Sequence, residues 1–275
     1  MTRQIAVYGK GGIGKSTISA NLTASLADMG RKVVQIGCDP KHDSTRLLLG
    51  RTHPFTVLDQ IRKEKLENVR DCILEGYKGA LCIEAGGPEP GVGCAGRGIL
   101  STLELLGREG IRSSPDIDYI IYDVLGDVVC GGFAVPLRKE YADTIFIVTS
   151  GEFMSLYAAN NIIRGIANYE TDVPRIGGIV LNSRGGQGDE EMVEEFALEV
   201  GLPIVARIPR HKGIQRAEEM VVPFIEAYPD DPLSKTFKGL AEMIENGIER
   251  HYARPLGEEK LESCVLKRHR QRSLK

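Results

Sequence analysis

One run of residues commits this chain to phosphate chemistry. Gly9-Lys10-Gly11-Gly12-Ile13-Gly14-Lys15-Ser16 fits the pattern G-x-x-x-x-G-K-[ST], after an apolar strand-like stretch and before a helix-like one. Glycines let the backbone curl with its N–H groups pointing inward at a phosphate. The N-terminus of the following helix adds positive potential. In this arrangement Lys15 reaches the β- and γ-phosphates, the Ser16 hydroxyl binds Mg²⁺, and Gly9 through Thr17 form the cradle. A glycine turn with no nucleotide is the bland alternative, and the strand–loop–helix context argues against it.

A bound nucleotide also needs carboxylates to hold Mg²⁺ and to place a water. Asp39 and Asp43 follow the second strand-like run, in Gly37-Cys38-Asp39-Pro40-Lys41-His42-Asp43. Asp123 ends the apolar run Tyr119-Ile120-Ile121-Tyr122, and Asp127 follows four residues later. A lone aspartate after a strand is commonly a turn or cap residue. Several beside a phosphate loop point to function.

The six cysteines are Cys38, Cys72, Cys82, Cys94, Cys130 and Cys264, and no two form a C-x-x-C pair. That excludes a zinc ribbon or a ferredoxin-type run within one chain. Cys82 sits in an apolar stretch as a small core residue, and Cys38 ends a strand. Cys94 and Cys130 differ, because each lies among glycines and other small residues, with the sulfur accessible and backbone N–H groups close by. A [4Fe–4S] cluster takes four thiolates, and a two-fold axis would supply two from each of two copies. From the pattern alone, a shared cluster and a pair of structural cysteines both remain open.

The elements that must position these residues alternate along the chain. Strand-like runs fall at 4–8, 32–36, 80–84, 119–123, 144–149, 177–181 and 203–208, and helix-like segments at 16–29, 99–107, 154–169, 190–200 and 233–250. Several strands are wholly apolar, as parallel strands covered on both faces must be. The pattern predicts one α/β domain with a doubly wound, mostly parallel sheet and ligands at the carboxyl ends of the strands. The domain spans 1–255, and 256–275 form a basic C-terminal tail read as a solvated extension. Hydrophobic residues make up 42% and the net charge is −3, which carries no whole-chain signature of nucleic-acid binding. No apolar run is long enough to span a bilayer, and Met1-Thr2-Arg3-Gln4 leads straight into a strand, so a cytoplasmic protein without a signal peptide is expected.

The sequence resembles the nitrogenase iron protein and its nitrogenase-like reductase relatives over nearly its whole length. The residues that carry the resemblance are Tyr8 through Thr17, Gly37-Cys38-Asp39-Pro40-Lys41, Gly86 through Gly98, Asp123 through Phe133, and Tyr157-Ala158-Ala159-Asn160-Asn161. Lys10 adds the mark of the deviant Walker A subclass of P-loop NTPases, which also holds partitioning, division-site and arsenite-pump ATPases. Membership implies a homodimer with ATP or ADP at the interface, Lys10 reaching the partner's phosphates. It implies one [4Fe–4S] cluster per dimer on Cys94 and Cys130, Mg²⁺ served by Ser16, Asp39 and Asp123, and Asp127 activating the water. Lys41 and Asp43 would belong to the nucleotide loop, Asn182 would bind adenine, and Pro209, Arg210 and Gln215 would lie in a second nucleotide stretch. Arg97 would dock the catalytic partner, and a ferredoxin or flavodoxin would supply electrons.

The implied partner is a nitrogenase or nitrogenase-like catalytic component. Cys94-Ala95-Gly96-Arg97-Gly98 resembles the dinitrogen-reducing proteins. Gln35 through Asp43, including His42, and Ala253-Arg254-Pro255 resemble the tetrapyrrole-reducing branch, and Arg210-His211-Lys212 departs from the usual Arg-Asp-Asn. Neutral drift on a solvated turn is the plain reading of His42. The other function class is a non-redox ATPase switch of the partitioning or division-site type, binding DNA or membrane. The basic tail favours it, and the two cysteine loops have no place in it.

Overall fold

The computed structural model describes residues 2–63, 68–87, 95–126, 134–138, 140–169 and 173–263, with Ala95 and Arg97 by backbone alone. Eight strands join one sheet: β1 (Arg3–Gly9), β2 (Val33–Cys38), β3 (Leu74–Glu75), β4 (Leu81–Glu84), β5 (Tyr119–Val124), β6 (Thr144–Thr149), β7 (Ile176–Asn182) and β8 (Ile204–Ile208). Their order is β3-β4-β2-β5-β1-β6-β7-β8. Every pairing is parallel except that of β3 with β4. The expected fold class is therefore the observed one.

The helices are α1 (Lys15–Asp28), α2 (Arg46–Leu49), α3 (Val57–Arg62), α4 (Ala95–Arg108), α5 (Phe153–Tyr169), α6 (Asp189–Val200), α7 (Lys212–Met220), α8 (Phe224–Ala227) and α9 (Pro232–Glu245). Strand alternation splits the core into two layers. Ala6, Tyr8, Ile36, Tyr122 and Ile147 face α4, α5 and α6 through Leu103, Ile163 and Phe196. Ile5, Val7, Ile121 and Phe146 face α1 and α9 through Leu22, Leu26 and Phe237. Because both faces are covered, β5 and β6 are buried from end to end and read as continuous apolar runs. Helix α1 lies between the sheet and α9 and is buried on nearly every side, so it shows no amphipathic stripe.

β1 lies at the centre between β5 and β6. The chain leaves β1 toward β2 on one side and later crosses to β6 on the other, which makes the end of β1 the topological switch point. The phosphate loop follows directly.

Several boundaries differ from expectation. The last helix, expected over 233–250, is α9 and stops at Glu245, where Asn246 caps it and Gly247 takes a positive φ of 90°. α4 starts a turn earlier than expected, at Ala95. The short antiparallel β3 and helix α7 were not anticipated, the first because two residues carry no period, the second because its glutamates, lysine and arginine hide a narrow apolar face. Leu256 and Leu261 are buried in the core, and Asn160 of α5 clamps Leu256, its Nδ2 donating to the carbonyl (2.9 Å) and its Oδ1 accepting from the amide (2.7 Å). The domain boundary read between 255 and 256 thus falls inside packed chain. The basic run 267–275 lies outside the described residues. Among the described residues no helix is long and apolar enough to cross a membrane.

Candidate functional site

The phosphate loop is held open by its own backbone and by two neighbours. At its base Gly9 passes so close to β6 that a Cβ would strike the Val148 carbonyl. Gly12 (φ 72°) and Gly14 (φ 98°) take left-handed conformations that favour glycine. Inside the loop the Ile13 amide donates to the Lys10 carbonyl (3.1 Å), and Lys15 Nζ donates to the same oxygen (3.3 Å). From the end of β7, Asn182 Nδ2 donates to the Ile13 carbonyl (2.6 Å), and the Arg184 guanidinium donates to the Gly12 carbonyl.

Asp123 is the buried acid beside this loop. It sits near the end of β5, level with Val7 of β1 and Gly37 of β2. It is 1% exposed, and neither carboxylate oxygen has a hydrogen-bond partner among the described residues. Burial pushes its pKa up, the Lys15 ammonium pulls it back, and the nearby Ser16 and Ser44 hydroxyls favour the charge without hydrogen-bond geometry. Lys15, 6% exposed, is pushed down by burial and held charged by Asp123, then Asp39 and Asp43. A buried carboxylate with two unmatched oxygens beside a lysine and a P-loop serine fits Mg²⁺ on a bound nucleotide, since the cation supplies what the site lacks. Asp39 and Asp43 approach from the loop after β2, where Asp39 Oδ1 accepts from the Lys41 amide (3.0 Å) and Lys41 and Asp43 are exposed. His42 is half-buried, takes a positive φ of 45°, and closes the turn by donating its amide to the Asp39 carbonyl (3.1 Å).

On the other side of the loop lies a cavity of about 690 Å³, lined among others by Gly14, Asn182, Pro209, Arg210 and Gln215. Its size and mixed lining suit a nucleoside. Helix α7 forms one wall, N-capped by His211, whose Nδ1 accepts from the Gly213 amide (3.0 Å). Arg210 donates to the Arg184 carbonyl (3.1 Å), and Gln215 donates to Glu219 (3.1 Å). Of the sequence-predicted nucleotide residues, Gly12, Gly14, Thr17, Asn182, Pro209, Arg210 and Gln215 line this cavity, whereas Lys15, Asp39 and Asp123 lie on the other side of the loop.

Sequence reasoning missed several residues that brace this region. Arg184 braces the loop, and Glu218 ties α7 to α1 by accepting from Thr17 Oγ1 (2.9 Å). Glu84 is fully buried at the end of β4, where Oε1 accepts from both the amide and the hydroxyl of Thr45, each at 2.7 Å. Burial raises its pKa to about 8. The signal was available, because Leu81-Cys82-Ile83-Glu84 puts an acid at the ligand end of an apolar strand, as in Asp123.

Cys94, Asp127 and Cys130 lie outside the described residues. The described cysteines, Cys38, Cys72 and Cys82, are free and buried, and burial raises each thiol. That is the chemistry of core residues rather than of thiolate ligands. Among the described residues no three His, Cys, Asp or Glu side chains converge as a metal site. The chain leading toward Asp127 reaches Gly126 against the Gly9 and Lys10 backbone, too close for any side chain. Arg97 lies in the first turn of α4.

Comparison with known proteins places this geometry. The solved structure of the cell division ATPase MinD from Pyrococcus furiosus superposes with a TM-score of 0.68 at 25% identity, covering 90% of this chain and 99% of that one. MinD from Pyrococcus horikoshii, complexed with Mg-ADP, gives 0.71 at 21% identity over 89% and 96%, a likeness of fold. A nitrogenase iron protein of Methanospirillum hungatei is 54% identical over 268 residues, covering 96% of this chain and 95% of that one. The family model described as 4Fe-4S iron sulfur cluster binding proteins, NifH/frxC family, matches residues 3–270. The chain belongs to that family.

Proposed function

We propose that this chain is the ATP-hydrolysing reductase component of a nitrogenase or nitrogenase-like system, delivering single electrons to a separate catalytic partner. The observation that carries the ATP half is Asp123, buried with both oxygens unmatched beside Lys15 and the P-loop. Membership of the cluster-binding family carries the redox half.

In this reading Lys15 and the loop amides would hold the β- and γ-phosphates, while Ser16, Asp39 and Asp123 would hold Mg²⁺. Asp127 orients the attacking water. Lys10 reaches the phosphates of a second copy, so that closure of a homodimer depends on ATP. Asn182, Pro209, Arg210 and Gln215 hold the adenosine, and Lys41 and Asp43 flank the phosphates. Cys94 and Cys130 from each of two copies would hold one [4Fe–4S] cluster, which when bound supplies one-electron redox chemistry. Arg97 would face the partner. ATP favours the closed, docking dimer, and loss of phosphate releases Asp39 and Asp123 and with them the closed state. A ferredoxin or flavodoxin would re-reduce the protein, and neither nucleic acid nor membrane is needed.

Anaerobic purification tests this. The expected product is a brown dimer with about four irons that hydrolyses MgATP when its catalytic partner is present. A colourless, iron-free protein that binds lipid or DNA on adding ATP would overturn the reading in favour of a non-redox ATPase switch of the partitioning or division-site type.

A further inference from the structure

Glu84 is the buried acid that the proposed mechanism does not use. It does not line the cavity. Its Oε1 accepts two short hydrogen bonds from Thr45, at the end of the loop that carries Asp39 and Asp43. Its Oε2 is buried without a hydrogen-bond partner among the described residues and fills the space a side chain on Gly37 would need. Gly37 directly precedes Cys38 and Asp39 and is level with Asp123 in the sheet. Glu84 therefore grips the nucleotide loop at both ends, by hydrogen bonds at Thr45 and by shape at Gly37.

Neighbouring contacts tie the same strand end to the same loop. The Ala85 amide donates to the Gly37 carbonyl (2.9 Å). Gly87 packs against Pro40 so closely that a Cβ there would come within 2.5 Å of the proline Cβ. Beside Thr45, the Ser44 carbonyl and hydroxyl accept from Gln35 Nε2 at 2.9 and 3.1 Å. The loop between these anchors bears Asp39 and Asp43, both of which act electrostatically on Lys15.

We propose that Glu84 is a positioning residue for MgATP: through Thr45 and Gly37 it fixes the loop from Asp39 to Asp43 so that its acids meet the metal-bound phosphates. The proposal rests on the nucleotide reading above and extends it to a side chain that the nucleotide does not touch. It requires a hydrogen-bond acceptor at Oε1 and a group of the same shape at Oε2. It also restricts the effect to the metal-dependent part of binding, because the adenine side is built on β7, β8 and α7, and four strands separate β4 from β7.

The test compares MgATP binding with metal-free ADP binding in the purified full-length protein, by calorimetry. Glu84→Ala is expected to weaken MgATP binding about tenfold, as for loss of a buried hydrogen-bonded acceptor, and to leave metal-free ADP within about twofold. Glu84→Gln, which keeps the acceptor and the shape, is expected to stay within about twofold of wild type for both ligands. Thr45→Val removes only the hydroxyl and should show the same metal-selective loss at smaller size, which keeps the test valid if Glu84→Ala does not fold. Equal weakening of both ligands, wild-type MgATP binding in both Glu84→Ala and Thr45→Val, or a Glu84→Gln loss as large as that of Glu84→Ala would each overturn the proposal. A wild-type protein that bound no nucleotide would instead overturn the ATPase reading beneath it.

Discussion

The two halves of the proposed nucleotide site are built on different plans. The phosphate half stands on the centre of the sheet, where Lys15, Asp123 and Glu84 are buried. The adenine half stands on the ends of β7 and β8 and on α7, where Pro209, Arg210 and Gln215 are exposed. One half thus presents fixed charges in a low-dielectric setting, where each counts for much. The other presents solvated side chains, each replaceable by water at small cost. In the proposed function, chemistry would be committed in the buried half and recognition would be adjustable in the exposed one.

The largest effect should leave both halves intact. Replacing Cys94 by serine is expected to abolish bound iron while MgATP affinity stays within about twofold, as read by iron assay and calorimetry on one sample. Retained iron would move the ligand assignment elsewhere. Within the proposed site, Lys15→Ala should weaken MgATP binding about 100-fold, the scale of a lost charge-assisted contact of roughly 3 kcal/mol. Asn182→Ala in the adenine half should weaken ATP about tenfold or less, since a neutral hydrogen bond is worth roughly 1 kcal/mol. If the two losses are equal, the contrast between the halves fails.

A pH dependence sharpens the same contrast. Glu84 rises in the folded chain from 4.5 to about 8, chiefly through burial. The folded state therefore keeps a proton there that the unfolded state has released. The stability from this group is full below about pH 4.5 and is lost as pH rises through about 8. Nucleotide-free wild type should lose up to a few kcal/mol between about pH 5 and 8 from this group, and Glu84→Gln should show a flatter curve. Urea unfolding across that range measures it. The smallest effect is expected at the core cysteines, where Cys72→Ser should leave iron content unchanged, because Cys72 is buried with a raised thiol.

The sheet was legible because its central strands β1, β5 and β6 carry mostly apolar runs, as parallel strands covered on both faces do. Lys15 and Asp123 were legible because each ends or follows such a strand. α7 was not, because its polar residues outnumber an apolar face that only packing reveals. Glu84 was overlooked although it carries the same signal as Asp123, since nothing in the sequence says that Thr45 folds back onto it. The clamp between Asn160 and Leu256 spans 96 residues, beyond the reach of any local pattern. Tyr157 through Asn161 were noted for their resemblance to a family, whereas the structure gives Asn160 the task of fastening the C-terminal segment.

The central claim is that ATP drives electron delivery from this chain to a partner. The direct measurement is the rate at which the reduced protein is oxidised by its catalytic component, followed anaerobically by absorbance, with MgATP and with MgADP. Rapid oxidation is expected with MgATP, little with MgADP, and none with MgATP in Lys15→Ala. Equal rates with the two nucleotides, or an unimpaired Lys15→Ala, would contradict it.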